Sequence, residues 1–282
     1  MVVTLFAAQP IRRVPELAGN IRFVETSFFE PAGPGRFWAT AASAGPWSPD
    51  SQHGGPPSAL AARELEGHDP DENLRLARVA IDILRPVPVG ELTARTRTLR
   101  PGKRVALLET VLEFGGQEVL VARGWRIARL SDGPVVAKDD TPASLPPTGR
   151  PASFPDGHVE GYLSHIEWRF EGGGNFDQPG PCRAWGRPMI PLLPGEDLAP
   201  MSRALLLADS GSGISMALDP RRYIFINVDL TVLLQRDPVG DWLLLDSVSS
   251  MGGTGTGLAE TQLSDTSGFV GTGVQTLLVS PR

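Results

Sequence analysis

A single carboxylate lies within the mostly apolar stretch from Met201 to Met216, and it has the clearest potential for chemistry in this sequence. If the stretch is helical, Asp209 shares a face with Leu205 and Leu206. A carboxylate in such surroundings can act as a general base and deprotonate an attacking water. The simpler interpretation is a surface or capping aspartate, which is the usual place for this residue type.

A second candidate is the segment His53-Gly54-Gly55-Pro56. Glycines let a backbone approach a ligand closely, and a similar segment supplies the oxyanion-binding N–H groups of α/β-hydrolases. That fold also needs a Gly-x-Ser-x-Gly nucleophile turn, and this sequence contains none. A glycine turn before a helix is therefore the favoured interpretation.

Two segments could contact phosphate groups. Gly252–Gly257 is rich in glycine but lacks the Lys-Ser/Thr pair that completes a phosphate loop, so we interpret it as a wide hairpin. Arg100, Lys103 and Arg104 form a basic cluster at a predicted hairpin. Such a cluster either binds phosphates or is simply solvated.

Charge and histidine spacing exclude two classes of function. The net charge of −6 argues against a nucleic-acid-binding protein, because such domains are normally basic. The histidines show no i, i+4 spacing of the kind that binds metal on a helix, so we expect loop or surface positions and no metal site. The four histidines are His53, His68, His158 and His165.

Targeting and redox signals favour a cytoplasmic protein. Met1–Pro10 starts apolar but has neither an adequate cationic region nor a long apolar run, so secretion is not expected. No run of about 18 apolar residues occurs, which argues against a membrane span. One cysteine, Cys182, excludes an intrachain disulfide and fits a reducing compartment.

The chain contains one plan twice, about 150 residues apart. Val89–Leu92 resembles Val239–Trp242 at an offset of 150, and Val121–Gly124 resembles Val270–Gly273 at an offset of 149. An offset that stays nearly constant indicates a duplicated unit rather than chance. Two copies are too few for a solenoid, so we expect a closed pair.

Each copy is predicted to contain one helix and six strands, which is an α+β pattern. The helices are expected at Pro57–Glu66 and Met201–Met216, and alternation such as that in Ile224–Leu234 indicates the strands. The strands expected ahead of the helices are 21–29, 35–41, 164–171 and 181–189.

A proline-rich connector separates the two copies. Gly133–Gly157 holds six prolines and three glycines in 25 residues, so it cannot form a helix or a central strand. The expected organisation is therefore an N-terminal half (1–132), a connector (133–157) and a C-terminal half (158–282).

These residues, taken together, resemble the double hotdog acyl-CoA thioesterases of the type II, or medium-chain, group. The similarity covers about residues 20–130 and 160–280, and it rests on the order, spacing and duplication of short motifs. The motifs are His53–Pro56, Leu84–Pro86 and Leu99–Gly102 in the N-terminal half, and Ala208–Ser210, Asn227–Asp229 and Gly273–Gln275 in the C-terminal half.

The resemblance implies an α+β double hotdog with two antiparallel six-stranded sheets, each wrapping a central helix. It also implies a water held and activated by Asp209, Asn227 and Gln275, where the best-known members have threonine in place of Asn227. An asparagine still donates and accepts hydrogen bonds. We expect the two sheets to run edge to edge as one surface, and the chain to form homodimers or homotetramers.

The resemblance further implies acyl-CoA as the substrate, without metal or cofactor. His53, Gly54 and Gly55 would then bind the substrate, with backbone N–H groups stabilising the oxyanion. The basic cluster of Arg100, Lys103 and Arg104 would contact the coenzyme A phosphates.

The offsets predict one reaction centre per chain. Asp209 corresponds to Ala59 at an offset of 150, and Gln275 corresponds to Arg126 at an offset of 149. The N-terminal half would therefore lack both the carboxylate and the amide.

Two other functions stay open. A hotdog hydratase or dehydratase needs an Asp–His pair near the helix, and no histidine follows His165, so the C-terminal half cannot supply one locally. A non-catalytic acyl-CoA-binding protein is the other alternative, because a fold does not guarantee a function.

Overall fold

The computed structural model describes residues 26–136, 149–154 and 157–282. The expectation for Met1–Pro10 and most of the predicted connector lie outside the described residues, as does the first part of the strand predicted at 21–29. Among the described helices, none is long and apolar enough to cross a membrane.

The described N-terminal half forms eight strands and one long helix, α1 (Gly55–Gly67), which confirms the helix predicted at Pro57–Glu66. The strand predicted at 21–29 is wrong in its described part, because β1 begins only at Phe29. The strands are β1 (Phe29–Gly33), β2 (Arg36–Ala39), β3 (Ala44–Gly45), β4 (Ser48–Gln52), β5 (Leu74–Ile83), β6 (Glu91–Arg100), β7 (Val105–Phe114) and β8 (Gln117–Ala128).

The described C-terminal half forms seven strands and two helices, α2 (Pro200–Ala208) and α3 (Gly211–Ile214). The continuous helix predicted at Met201–Met216 is therefore wrong, because the chain turns at Asp209 and Ser210. The strands are β9 (Ile166–Asn175), β10 (Gln178–Pro188), β11 (Tyr223–Asn227), β12 (Asp229–Leu234), β13 (Leu243–Met251), β14 (Thr256–Asp265) and β15 (Gly268–Pro281).

One antiparallel sheet of thirteen described strands runs through both halves, in the order β1-β2-β6-β7-β8-β5-β12-β15-β14-β13-β10-β9, with β11 also paired to β15. The halves join where β5 pairs with β12. The edge-to-edge arrangement is thus confirmed. Each half contributes six strands to it, when β11 and β12 are counted as one strand interrupted at Val228.

The pairing of strands fixes the true offset of the duplication. Thr96 of β6 pairs with Thr110 of β7, and Ser247 of β13 pairs with Thr261 of β14, 151 residues further on. Both pairs join their hydroxyl groups, at 2.8 Å and 2.9 Å. The offsets of 150 and 149 read from the sequence are therefore short by one or two residues, because short motifs can be aligned only approximately.

The helices lie side by side and antiparallel, and both pack on the sheet. Helix α1 contacts β5–β8, whereas α2 contacts strands of the C-terminal half and β5. The hydroxyl of Ser202 on α2 donates to the carbonyl of Ala59 on α1 at 3.1 Å. The start of α1 consequently lies against the end of α2, where Leu206 and Asp209 are found.

Candidate active site

Asp209 lies in the turn that ends α2, and not on the face of a continuous helix. The next helix, α3, begins at Gly211, where a Cβ atom would collide with the hydroxyl of Thr261. A glycine is therefore required for this turn to sit so close to the sheet. The result is a carboxylate held at a helix end, with only 4% of Asp209 exposed.

Two amide side chains of the C-terminal half contact Asp209. Asn227 Nδ2 donates to Asp209 Oδ1 at 2.8 Å. Gln275 Nε2 donates to the main-chain oxygen of Asp209 at 3.1 Å and lies 3.4 Å from Oδ1, while its Oε1 accepts from the N–H of Ser212 at 3.1 Å. The structure therefore brings together the three side chains that the resemblance singled out.

A histidine of the N-terminal half completes this cluster. His53 Nδ1 lies 2.8 Å from Asp209 Oδ2 and 3.2 Å from the N–H of Gly55. The carboxylate contact is shorter and charge-assisted, so we assign the Nδ1 proton to the bond with Asp209. His53 lies in the loop between β4 and α1, as expected, but it is only 5% exposed, so the alternative of a surface histidine is wrong for this residue.

The His53–Asp209 contact also corrects the argument against a hydratase. That argument required a histidine within the C-terminal half, whereas the packing of the two halves supplies one from the other half. Sequence separation gave no signal of this contact, because the two residues are 156 positions apart and meet only through the packing of α1 on α2.

Two glycines let the carboxylate reach the start of α1. A Cβ atom on Gly54 would lie 2.8 Å from both carboxylate oxygens of Asp209, and one on Gly55 would collide with the carbonyl of Leu206. The next two residues, Pro56 and Pro57, have no N–H. The N–H groups of Gly54 and Gly55 are therefore the backbone donors of this turn.

Tyr162 packs against the site, and no pattern in the sequence pointed to it. Its ring stacks on His53 with centroids 4.1 Å apart, and its hydroxyl donates to the carbonyl of Leu206 at 2.6 Å. Burial raises the pKa of Tyr162, partly opposed by its hydrogen bond to Ser210, so the phenol stays protonated and remains a donor. One side chain thus fixes both the imidazole and the end of α2.

The cluster opens into a cavity of about 430 Å³. Its walls are mainly apolar and aromatic with a few polar side chains, which is typical of a site for a small organic ligand. The polar lining residues are His53, His158, Asp209, Ser212, Asn227 and Arg282. The apolar and aromatic lining residues include Trp47, Leu163, Phe176, Met216, Tyr223, Ile224 and Phe225.

The described N-terminal half carries no counterpart of this cluster. At the observed offset of 151, Asn227 corresponds to Leu76 and Gln275 to Gly124, so the match of Gln275 to Arg126 is wrong. A Cβ on Gly124 would lie 2.8 Å from Leu76 and 2.9 Å from Leu65, so leucine side chains occupy this place. Arg126 instead donates to the carbonyl groups at the C-terminal end of α1.

The basic cluster of Arg100, Lys103 and Arg104 lies away from Asp209. The carbonyl of Arg104 accepts from Ala128 N–H, at the end of β8 that also reaches the C-terminus of α1. Asp209 lies at the opposite end of that 13-residue helix, which spans about 20 Å. The structure therefore does not bring the cluster to the carboxylate.

Comparisons with protein families give matches on both halves. The N-terminal domain of acyl-CoA thioesterases matches residues 43–127, and the C-terminal domain of acyl-CoA thioesterases matches residues 142–279. No significant match was found among curated proteins.

Solved structures share the fold at low sequence identity. A hot dog fold protein from Alicyclobacillus acidocaldarius has a TM-score of 0.69 at 13% identity, covering 90% of this chain and 95% of that chain. An acyl-CoA thioesterase II from Mycobacterium marinum has a TM-score of 0.63 at 15% identity, with coverages of 90% and 95%. The TesB protein of Mycobacterium avium subspecies paratuberculosis has a TM-score of 0.64 at 18% identity, with coverages of 91% and 97%.

The two family matches follow the order of the two halves and cover most of the chain, and the solved structures have the same double architecture. The chain belongs to the acyl-CoA thioesterase family, a family of thioester hydrolases, and has the α+β double hotdog fold.

Proposed function

We propose that this chain hydrolyses a fatty acyl-CoA to the free acid and coenzyme A, with Asp209 activating the attacking water. The observation that carries the proposal is the buried Asp209 carboxylate, held by Asn227, Gln275 and His53 at the wall of an apolar cavity. A general base needs such a fixed position beside the reacting carbon.

Asn227 and Gln275 orient the carboxylate and the water. Each carboxylate oxygen can accept about two hydrogen bonds, so Asp209 keeps capacity for a water beside its protein donors. Asn227 lines the cavity together with Asp209, which puts its amide within reach of the same water. Neither amide can take the proton, so both serve to position.

His53 extends the proton path. With its Nδ1 proton on the Asp209 bond, Nε2 is an acceptor, and a carboxylate that fixes the tautomer in this way is a familiar device of general-base catalysis. The water proton passes either to Asp209 directly or to Nε2 of His53, and in the second case the Asp209 carboxylate stabilises the imidazolium that forms. The same proton is then delivered to the sulfur when the C–S bond breaks.

The thioester oxygen gains negative charge when the water oxygen bonds to the carbonyl carbon. Backbone N–H groups aimed at that position stabilise the tetrahedral intermediate. We assign this role to the start of α1, where the N–H of Gly54 is a backbone donor beside Asp209 and the N–H of Gly55 points at His53 Nδ1, 3.2 Å away. The substrate-binding role expected for His53, Gly54 and Gly55 is supported by this placement.

The placement of Arg100, Lys103 and Arg104 does not support their expected contacts with the coenzyme A phosphates, because that hairpin lies at the end of α1 opposite to Asp209. A homodimer or homotetramer is supported by exposed apolar side chains on the outer face of the C-terminal half. These side chains are Ile226, Val248, Leu258 and Leu278.

The test is thiol release from a panel of acyl-CoAs, measured with Ellman's reagent for the wild type and for Asp209→Asn. We expect release by the wild type and its near loss in the variant. Binding of acyl-CoA without thiol release by the wild type would contradict the proposal and favour the non-catalytic alternative.

A hydratase or dehydratase is the second candidate, because the His53–Asp209 pair supplies the acid and base that such chemistry requires. Incubation with an enoyl-CoA separates the two functions. Water addition without thiol release would favour the hydratase, whereas thiol release from saturated acyl-CoAs cannot come from a hydratase.

A further inference from the structure

Trp47 is a large aromatic side chain that remains 62% exposed at the mouth of the cavity. We propose that Trp47 is a stacking platform for a planar aromatic group of the thioester, either the adenine of coenzyme A or an aryl acyl group. This inference rests on the proposed function, because it assigns a second contact to the same substrate.

The backbone holds Trp47 in place before any ligand arrives. Trp47 lies at the tip of the β3–β4 hairpin, and its ring packs on Gly45, where a Cβ atom would approach the indole to 3.1 Å. The hairpin is tied down by a hydrogen bond from Val159 N–H to the carbonyl of Pro46 at 3.2 Å. A fixed aromatic surface binds a ligand at a low cost in conformational entropy.

The indole of Trp47 is the last of three stacked rings, and the middle ring, His53, contacts the Asp209 carboxylate. Tyr162 stacks on His53, and His53 stacks on Trp47 with centroids 6.0 Å apart and planes inclined by 27°. The stack therefore leads from the reacting centre to an indole surface that is open to solvent and to the cavity.

The wall of the cavity is unusually aromatic for this chain. Aromatic residues make up 7% of the sequence, yet four of the seventeen residues that line the cavity are aromatic. Those four are Trp47, Phe176, Tyr223 and Phe225. Planar groups gain from such walls through offset and edge-to-face contacts that a saturated chain does not make.

The experiment uses four thioesters and three variants. The substrates are octanoyl-CoA, phenylacetyl-CoA and the corresponding N-acetylcysteamine thioesters, so that adenine and aryl group are each present or absent. Trp47→Ala removes the platform, and Trp47→Phe keeps a ring. Trp38→Ala is the control, since Trp38 is also half exposed but lies on β2 and does not line the cavity.

We expect Trp47→Ala to raise KM about tenfold for thioesters that carry the stacked group, with kcat changed by less than about twofold. Trp47→Phe should bring KM most of the way back to the wild-type value, and Trp38→Ala should leave KM unchanged. If KM rises only for the two CoA esters, adenine is the stacked group. If KM rises only for the two phenylacetyl esters, the aryl acyl group is the stacked group.

Two results would overturn the inference. One is an equal rise in KM for all four thioesters, including octanoyl-N-acetylcysteamine. That result would show that Trp47 only supports His53. The other is an unchanged KM for every thioester.

Calorimetric Kd values in the Asp209→Asn background separate this inference from the proposed function. If the wild type cleaves none of the thioesters, the proposed function fails. The effect of Trp47→Ala on Kd then still decides whether the platform exists.

Discussion

His53 and Asp209 belong to opposite halves of the chain, and their side chains meet with 2.8 Å between Nδ1 and Oδ2. The contact depends on the antiparallel packing of α1 and α2, since the first residue lies before α1 and the second lies after α2. Either half alone would leave one buried polar side chain of this pair without its partner, which is energetically costly. The candidate site is therefore a property of the joined halves and not of the C-terminal half alone.

The first prediction concerns Asp209 itself. Asp209→Asn or Asp209→Ala should lower kcat about 10²–10⁴-fold, because each variant lacks the general base. Thermal unfolding should show that the fold is kept in Asp209→Asn, which has nearly the same volume. Asp246→Asn is the matched control, because Asp246 is half exposed and pairs with Arg183 on the sheet. Wild-type kcat in Asp209→Ala would exclude this mechanism.

The second prediction concerns the two amides. Asn227→Ala and Gln275→Ala should each lower kcat less than the loss of Asp209 does, because they position the water and take no proton. In the double variant, kcat should fall by less than the product of the two single reductions, since the effects of groups that act on one water are not additive. A double-mutant cycle in kcat measures this, and strictly multiplicative losses would show that they act separately.

The third prediction tests the packing of the carboxylate on α1. Gly54→Ala places a methyl group 2.8 Å from both oxygens of Asp209, so the carboxylate must move. A displacement of about 1 Å at a reacting centre lowers the rate on the order of 10²-fold. Gly67→Ala is the control, because a Cβ atom there meets nothing within 4 Å. Full activity of Gly54→Ala would show that Asp209 can relocate without loss.

Much of the fold follows from local patterns in the sequence. Alternation in segments such as Ile224–Leu234 predicted the strands, and the repeated motifs predicted two halves with the sheets joined edge to edge. The side chains of Asp209, Asn227 and Gln275 were grouped by the resemblance, and both amides do lie within hydrogen-bond distance of Asp209. Their catalytic role stays a prediction.

The remainder depends on contacts that no local pattern encodes. The break after α2 coincides with the close approach of Gly211 to Thr261 on the sheet, and a helical periodicity contains no sign of this approach. The offset of 151 emerges only from strand pairing, since short motifs can be aligned only approximately. His53 and Tyr162 reach the site through the packing of distant segments, so sequence spacing gave no sign of their position.

The last prediction concerns Glu66, near the end of α1. Burial raises the pKa of Glu66 to about 7, and Asp237 adds to the rise while Arg126 and Arg129 oppose it. Because the folded chain holds this proton more tightly than the unfolded chain, stability should fall as the pH rises from about 4.5 to about 7.

Glu66→Gln removes this titration and keeps the shape of the side chain. At about pH 8.5 the variant should be more stable than the wild type by up to about 3 kcal/mol, the free energy equivalent of the pKa rise, whereas at about pH 4 the two should be alike. Urea unfolding across this range measures the difference. Glu118→Gln, at an exposed position on β8, is the control and should follow the wild type at every pH. Parallel stability curves for Glu66→Gln and the wild type would show that Glu66 is ionised in the folded protein throughout, and that the nearby arginines outweigh its burial.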